Sequence, residues 1–234
     1  MRYGEDPRKG VQLALATALR SKEKARVELK RLDGLYARLD TAADDVVIVG
    51  IDEVGRGALA GPLLVAAVVL PTSPRINGID DSKRLTAKQR QGLVPRIREI
   101  ATAIGMARIE AVDIDRIGMA MALRQAMQEA LRQIDLEPDL VLVDGNKLGV
   151  HPKELAIVGG DGKEAPIAAA SIVAKVARDA WMVEADRLYP GYRLAANKGY
   201  ASPEHIAALQ ELGPSKIHRR SFLNNILPAQ ERLF

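Results

Sequence analysis

Apolar positions along the chain change their spacing several times, and each change predicts an element. Between residues 11 and 39 glycine occurs once, at Gly34, and proline never, while Leu29, Leu32, Tyr36 and Leu39 recur three and four residues apart. That is the spacing of one helix face, so this stretch reads as a long helical arm. A polar link at 41–45 leads into two β-branched runs of strand length, VVIVGI at 46–51 and LLVAAVVL at 63–70. A polar loop with Pro and Gly covers 71–84, and Thr86 stands where a helix cap belongs, before a helix kinked or restarted at Pro95. Residues 101–110 read as a strand, 113–133 as one long helix, 140–143 and 155–158 as short buried strands, and 166–188 as a helix.

Early strands in hairpin-like succession, followed by strands alternating with helices, predict an α/β domain with a mixed sheet. Three units are expected: a basic helical arm at 1–45, a catalytic domain with C-terminal helices at 46–225, and a tail at 226–234. A chain of 234 residues suffices for one sizeable core. No internal repeat or low-complexity tract interrupts it.

Charge sharpens this picture. The net +4 is split into basic ends and an acidic middle: residues 1–40 hold ten Lys/Arg against six Asp/Glu, residues 41–186 hold 17 against 21, and residues 187–234 hold seven against three. Such a distribution suits termini that grip phosphates and a centre that holds cations, and the arm is expected to add phosphate contacts. The absence of cysteine excludes disulfide scaffolds, thiolate zinc sites and thiol nucleophiles, and fits a reducing compartment, so the cytoplasm is expected. The longest apolar run, 63–70, is too short to cross a bilayer, and the stretch at 11–19 is a poor signal-peptide core because Glu5 and Asp6 sit where positive charge is wanted and Gln12 and Thr17 interrupt it.

Candidate chemistry lies at the ends of the apolar runs. Asp52 and Glu53 in DEVGRG follow the first run, Asp144 ends LVLV within VDG, and Asp161 follows LAIV within GGDGK. Strand ends on one sheet edge would bring these carboxylates together, where mutual repulsion calls for a cation. Oxygen-only donors favour Mg²⁺ or Mn²⁺ over zinc. GGDGK lacks the spacing of a nucleotide-triphosphate loop, and no G-x-S-x-G nucleophile elbow is present. His151, His205 and His218 are scattered and read as structural or surface residues.

Six blocks in order then carry a specific resemblance: DEVGRGALAGP (52–62), DDSKRL (80–85), LVLVDG (140–145), AAASIVAKVARD (168–179), YPGY with NKGY (189–200) and IHRRSF (217–222). Over residues 46–225 the chain resembles ribonuclease HII. The resemblance implies a ribonuclease H-like fold whose mixed sheet is flanked by helices, with Asp52, Glu53, Asp144 and Asp161 as metal ligands. Asp179 competes for the fourth place, but it lies in a predicted helix beside Arg178 and near Lys175, where a supporting role is natural. The resemblance further implies that Gly55, Arg56 and Gly57 read a ribose 2′-hydroxyl and that Tyr200 packs against the following deoxyribose. Ser82, Lys83, Ser171 and Lys175 would hold phosphates or orient the acids, and Arg219 and Arg220 would contact the nucleic-acid backbone. Where relatives often carry an aromatic residue and a histidine before KGY, this chain has LAAN at 194–197, which withdraws Asn197 from substrate contact.

The implied activity is metal-assisted cleavage of the RNA strand of RNA/DNA hybrids and of single ribonucleotides in duplex DNA, by a monomer. The alternatives are a ribonuclease HIII-like hybrid nuclease and a catalytically silent nucleic-acid or clamp-binding adaptor. QERLF at 230–234 resembles short peptides that dock on sliding clamps, with Gln230, Leu233 and Phe234 as the contact residues.

Overall fold

The computed structural model describes residues 8–227. Its strands are β1 (Ile48–Val54), β2 (Leu63–Val69), β3 (Ala103–Ile109), β4 (Leu140–Asp144) and β5 (Glu154–Ile157). They form one sheet in the order β3-β2-β1-β4-β5. The first three pair as an antiparallel meander, whereas β1–β4 and β4–β5 are parallel. The helices are α1 (Lys9–Thr41), α2 (Ala87–Ile100), α3 (Ala111–Ile117), α4 (Met119–Arg132), α5 (Ala165–Leu188), α6 (Leu194–Asn197) and α7 (Pro203–Leu212).

Both sheet faces are covered, which is why the central strands read as unbroken apolar runs rather than alternating ones. On one face Ile48, Ala66, Val68 and Leu142 pack against Ile167, Ala170 and Val173 of α5, with α1 and α2 completing the cluster. On the other face Val49, Ile51, Val65 and Val143 meet Leu123, Ala126 and Met127 of α4. A third cluster joins the end of α5 to α6 and α7 through Met182, Tyr192, Leu194 and Leu209. Among the described residues no helix is long and apolar enough to cross a membrane.

Three expectations change. Helix α2 is capped by Thr86 in a reciprocal capping box with Gln89 and runs on through Pro95 without restarting. Pro95 and Gln91 are both exposed, so the carbonyl that loses its donor faces water. The single helix expected at 113–133 is two helices, because Gly118, at φ +79°, closes α3 and opens α4. Apolar residues continue across the break, which hid it.

The arm also differs from a detached extension. Leu32, Leu35, Tyr36 and Leu39 are buried in the α5-side core, whereas Leu13, Leu19, Val27 and Leu29 are exposed. Burying such side chains stabilises by roughly 1.5–3 kcal/mol each. Polar contacts fasten the same half: the Tyr36 hydroxyl accepts from the Ile76 N–H at 3.1 Å, and Arg38 reaches Glu164 at 2.8 Å. The second half of α1 therefore belongs to the catalytic core, and only its first half projects.

Candidate active site

The acids converge through strand pairing. Asp52 and Glu53 lie inside β1 rather than beyond it, because β1 continues to Val54 with Asp52 opposite Ala66 and Glu53 opposite Val65. Successive strand residues face opposite ways, so Asp52 points to the α5 side and Glu53 to the other. Asp144 is the last residue of β4, which lies beside β1 with Val143 opposite Ile51. Asp161 sits in a 3₁₀ turn, Gly160–Gly162, between β5 and α5. Carboxylate oxygens of Asp52, Asp144 and Asp161 all lie within 4.8 Å of one another.

Each carboxylate is only partly satisfied by the protein. Asp52 accepts the N–H of Glu53 at 2.7 Å, and Asp144 accepts the N–H of Gly160 at 2.8 Å. Lys83 Nζ stands 3.3 Å from Asp161, and Arg56 stands 3.5 Å from Glu53. Burial pushes the Asp52 carboxyl up to about 8, reinforced by the charges of Glu53 and Asp144 and opposed by a hydrogen bond from Ser171. Burial likewise raises Glu53, against Arg56, and raises Asp161, against Lys83. Two of the three converging carboxyls, Asp52 and Asp161, are thus pushed toward their neutral forms, the mark of a cluster with less positive charge than its acids call for, while Glu53 lies outside that trio. The donors are all oxygens, a set suited to a hard divalent cation such as Mg²⁺ or Mn²⁺.

Gly55, Arg56, Gly57, Ser82, Lys83, Ser171, Lys175 and Tyr200 line one open cavity of about 460 Å³ with Asp52, Glu53 and Asp144. The hydroxyls of Ser171 and Ser82 are hydrogen-bonded at 2.8 Å, fixing the Ser82 loop to α5. Asp179 lies outside the acid cluster and accepts from Lys175 Nζ at 2.8 Å, so it steers a lysine of the cavity wall.

The glycines of the GRG loop serve different ends. Gly55 has φ +87°, and a Cβ there would come within 2.1 Å of Arg178 Nε, so its lack of a side chain is an internal requirement. At Gly57 a Cβ would meet nothing within 4 Å, which leaves that side open to a ligand.

Arg178 escaped the sequence reading. It is fully buried, and its guanidinium donates to the carbonyls of Pro62 at 2.9 Å, Lys198 at 2.8 Å and Ala60 at 3.0 Å. The available signal was its place in the buried stripe Ala174, Arg178, Met182 and Ala185 of α5, spaced as one helix face. Arg219 needs correcting: it too is fully buried, donating to the carbonyls of Gly61 at 2.9 Å and Arg56 at 3.0 Å. It braces the loop instead of reaching a phosphate. Burial, with the nearby Arg178 charge, lowers Arg219 to about 10. Arg220 lies outside the cavity lining, and its backbone N–H is held by Asp115 at 2.8 Å. Asn197 braces the KGY turn, donating to Tyr192 and accepting from the Gly199 N–H at 2.8 Å. Two of the three histidines, His205 and His218, meet in the interior rather than lying scattered. Gln230, Leu233 and Phe234 lie outside the described residues.

The family model for ribonuclease HII matches residues 49–225. A ribonuclease HII from Geobacillus thermodenitrificans is 44% identical over 219 residues, covering 93% of this chain and 85% of that protein. Two solved structures share the fold. One is the PCNA:RNase HII complex from Archaeoglobus fulgidus, with TM-score 0.64 and 24% identity, covering 77% of this chain and 97% of that one. The other is Bst-RNase HIII in complex with Mn²⁺, with TM-score 0.63 and 17% identity, covering 79% and 67%.

Proposed function

The chain belongs to the ribonuclease HII family, a ribonuclease H-type nuclease, and from that premise we propose that it hydrolyses the RNA strand of RNA/DNA hybrids and cuts on the 5′ side of single ribonucleotides in duplex DNA. The observation that carries this reading is the convergence of Asp52, Asp144 and Asp161, of which Asp52 and Asp144 line a cavity together with Gly55–Gly57 and Tyr200. Acid and sugar-reading elements thus share one opening.

Asp52, Glu53, Asp144 and Asp161 would hold the divalent ions. When bound, a pair of such ions supplies activation of the attacking water and neutralises charge on the leaving 3′-oxygen. The phosphorus–3′-oxygen bond breaks as the new phosphorus–oxygen bond forms, leaving 3′-hydroxyl and 5′-phosphate ends. No side chain of the protein becomes covalently attached. Lys83 and Lys175 face the cavity with ammonium groups suited to flanking phosphates, while Ser82 and Ser171 hold the acid wall in register. Backbone groups of Gly55–Gly57 read the 2′-hydroxyl, a contact that deoxyribose cannot return. Tyr200 packs against the next deoxyribose. For the tail, a sliding clamp is the proposed partner of Gln230, Leu233 and Phe234, in line with the clamp-bound relative.

A duplex carrying one ribonucleotide, incubated with and without Mg²⁺ or Mn²⁺, tests the reading. Metal-dependent cleavage at the 5′ side of the ribonucleotide is expected. Cleavage of long hybrids alone would favour a ribonuclease HIII-like activity, and binding without cleavage an adaptor.

A further inference from the structure

Beneath the KGY turn, His205 of α7 and His218 are both buried, with their Nε2 atoms 3.0 Å apart. Their outer contacts fix where the protons sit. At one end His218 Nδ1 lies 3.0 Å from the backbone N–H of Ser215 and 2.8 Å from its hydroxyl, both of which can donate to it, the environment of a bare nitrogen. At the other end the carbonyl oxygen of Tyr200, which can only accept, lies 2.9 Å from His205 Nδ1, so that nitrogen carries a proton. In neutral rings, His218 is then protonated on Nε2 and His205 is bare there. The contact between them is a normal N–H···N hydrogen bond, and both ends demand the same arrangement. A second proton on His205 would set two Nε2 donors against each other, and one on His218 would break the bond from the Ser215 N–H. Burial lowers both histidines, His218 to about 3, which keeps the rings neutral.

The chain of bonds runs from Ser215 through His218 and His205 to the backbone of Tyr200. The Tyr200 carbonyl also accepts the Ser202 N–H at 2.8 Å, so the turn is gripped from two directions. Its ring lines the active-site cavity and lies over the Arg178 guanidinium at 5.4 Å. His218 is itself anchored, pairing with Ala60 in an isolated bridge next to the loop held by Arg219.

We propose that His205 and His218 are positioning residues whose directional hydrogen bonds set Tyr200 against the sugar of the bound duplex and so tune recognition rather than bond cleavage. The proposal rests on the reading of Tyr200 as a sugar contact. Neither histidine touches the substrate; both act through the Tyr200 backbone. The geometry also specifies which replacement works: Asn at position 205 can put an amide N–H where Nδ1–H was, and Leu cannot.

Two measurements decide it. Imidazole ¹⁵N–¹H NMR of the full chain at neutral pH should show His205 protonated on Nδ1 and His218 on Nε2. Reversed tautomers or a charged ring would overturn the relay without reference to activity. In steady-state cleavage of a duplex with one ribonucleotide and Mg²⁺, His205→Leu should raise KM about tenfold, the scale of one lost buried hydrogen bond, with most of the effect in KM rather than kcat. His205→Asn should stay within about threefold of the native KM, since its donor survives. In a Tyr200→Ala background His205→Leu should add nothing further to KM. Additive effects would reduce the pair to a packing role and overturn the proposal. If Tyr200→Ala alone leaves KM unchanged, the sugar-contact reading has failed and the proposal with it, a failure recognisable because the tautomers still stand as assigned.

Discussion

Asp52 and Asp161 of the acid cluster are buried, as are the two arginines of the brace, yet the protein treats their charges in opposite ways. Arg178 and Arg219 are ringed by carbonyl oxygens from residues 56–62 and 198, so their charge is absorbed by backbone. Asp52, Asp144 and Asp161 face one another, and burial with mutual repulsion raises Asp52 and Asp161. A buried charge satisfied within the chain is architecture. One left in mutual repulsion is prepared for something that arrives later.

The largest expected effect lies on the acid side. Asp52→Asn or Asp144→Asn should take single-turnover cleavage to background while leaving duplex binding intact, because the amide keeps the shape and removes the charge. Asp179→Asn, one contact further out, should lower activity only about 10- to 100-fold. Substantial cleavage by Asp52→Asn would remove the distinction between the two regions.

The brace should fail differently. Arg178→Met strands three carbonyl acceptors, at about 1–3 kcal/mol for each buried group left unpaired, so urea unfolding should show a loss of about 3 kcal/mol or more. A stable Arg178→Met protein with normal cleavage would show the brace to be dispensable.

The smallest effect sharpens the comparison through pH. With its carboxyl at about 8 against an ordinary 3.8, metal-free folded Asp52 keeps a proton that the unfolded chain releases. The folded state binds more protons between those values, so stability should fall as pH rises through that window. Thermal melts in chelator from pH 5 to 9 should show this decline. Mg²⁺ or Mn²⁺, and separately Asp52→Asn, should flatten it. A metal-free melting curve with no decline would mean that the acids are not in repulsion.

Legibility in the sequence followed the same division. Asp52, Asp144 and Asp161 were visible because each ends or follows an apolar run, and a carboxylate at the edge of a buried segment stands out. That they meet follows from strand ends sharing one sheet edge, which the parallel β1–β4 pairing makes concrete. Arg219 and Arg220 are neighbours of one type, and only burial separates the brace from its companion. The histidine pair was invisible because α7 and the loop after it must fold back before the rings meet. The docked half of α1 was masked by its charge: Arg31 and Arg38 flank the buried leucines, and a basic helix reads as solvated until its partners are known.

The parallel pairing of β1 with β4 also orders events in time. Asp52 and Asp144 become neighbours only when those strands zip together, and β2, β3 and α2–α4 all lie between them along the chain. Loop-closure entropy makes such distant pairings late steps, in contrast to the β1–β2–β3 meander, which can form from adjacent segments. The carboxylate cluster is therefore assembled only as the central sheet closes, after the contacts that adjacent segments can make.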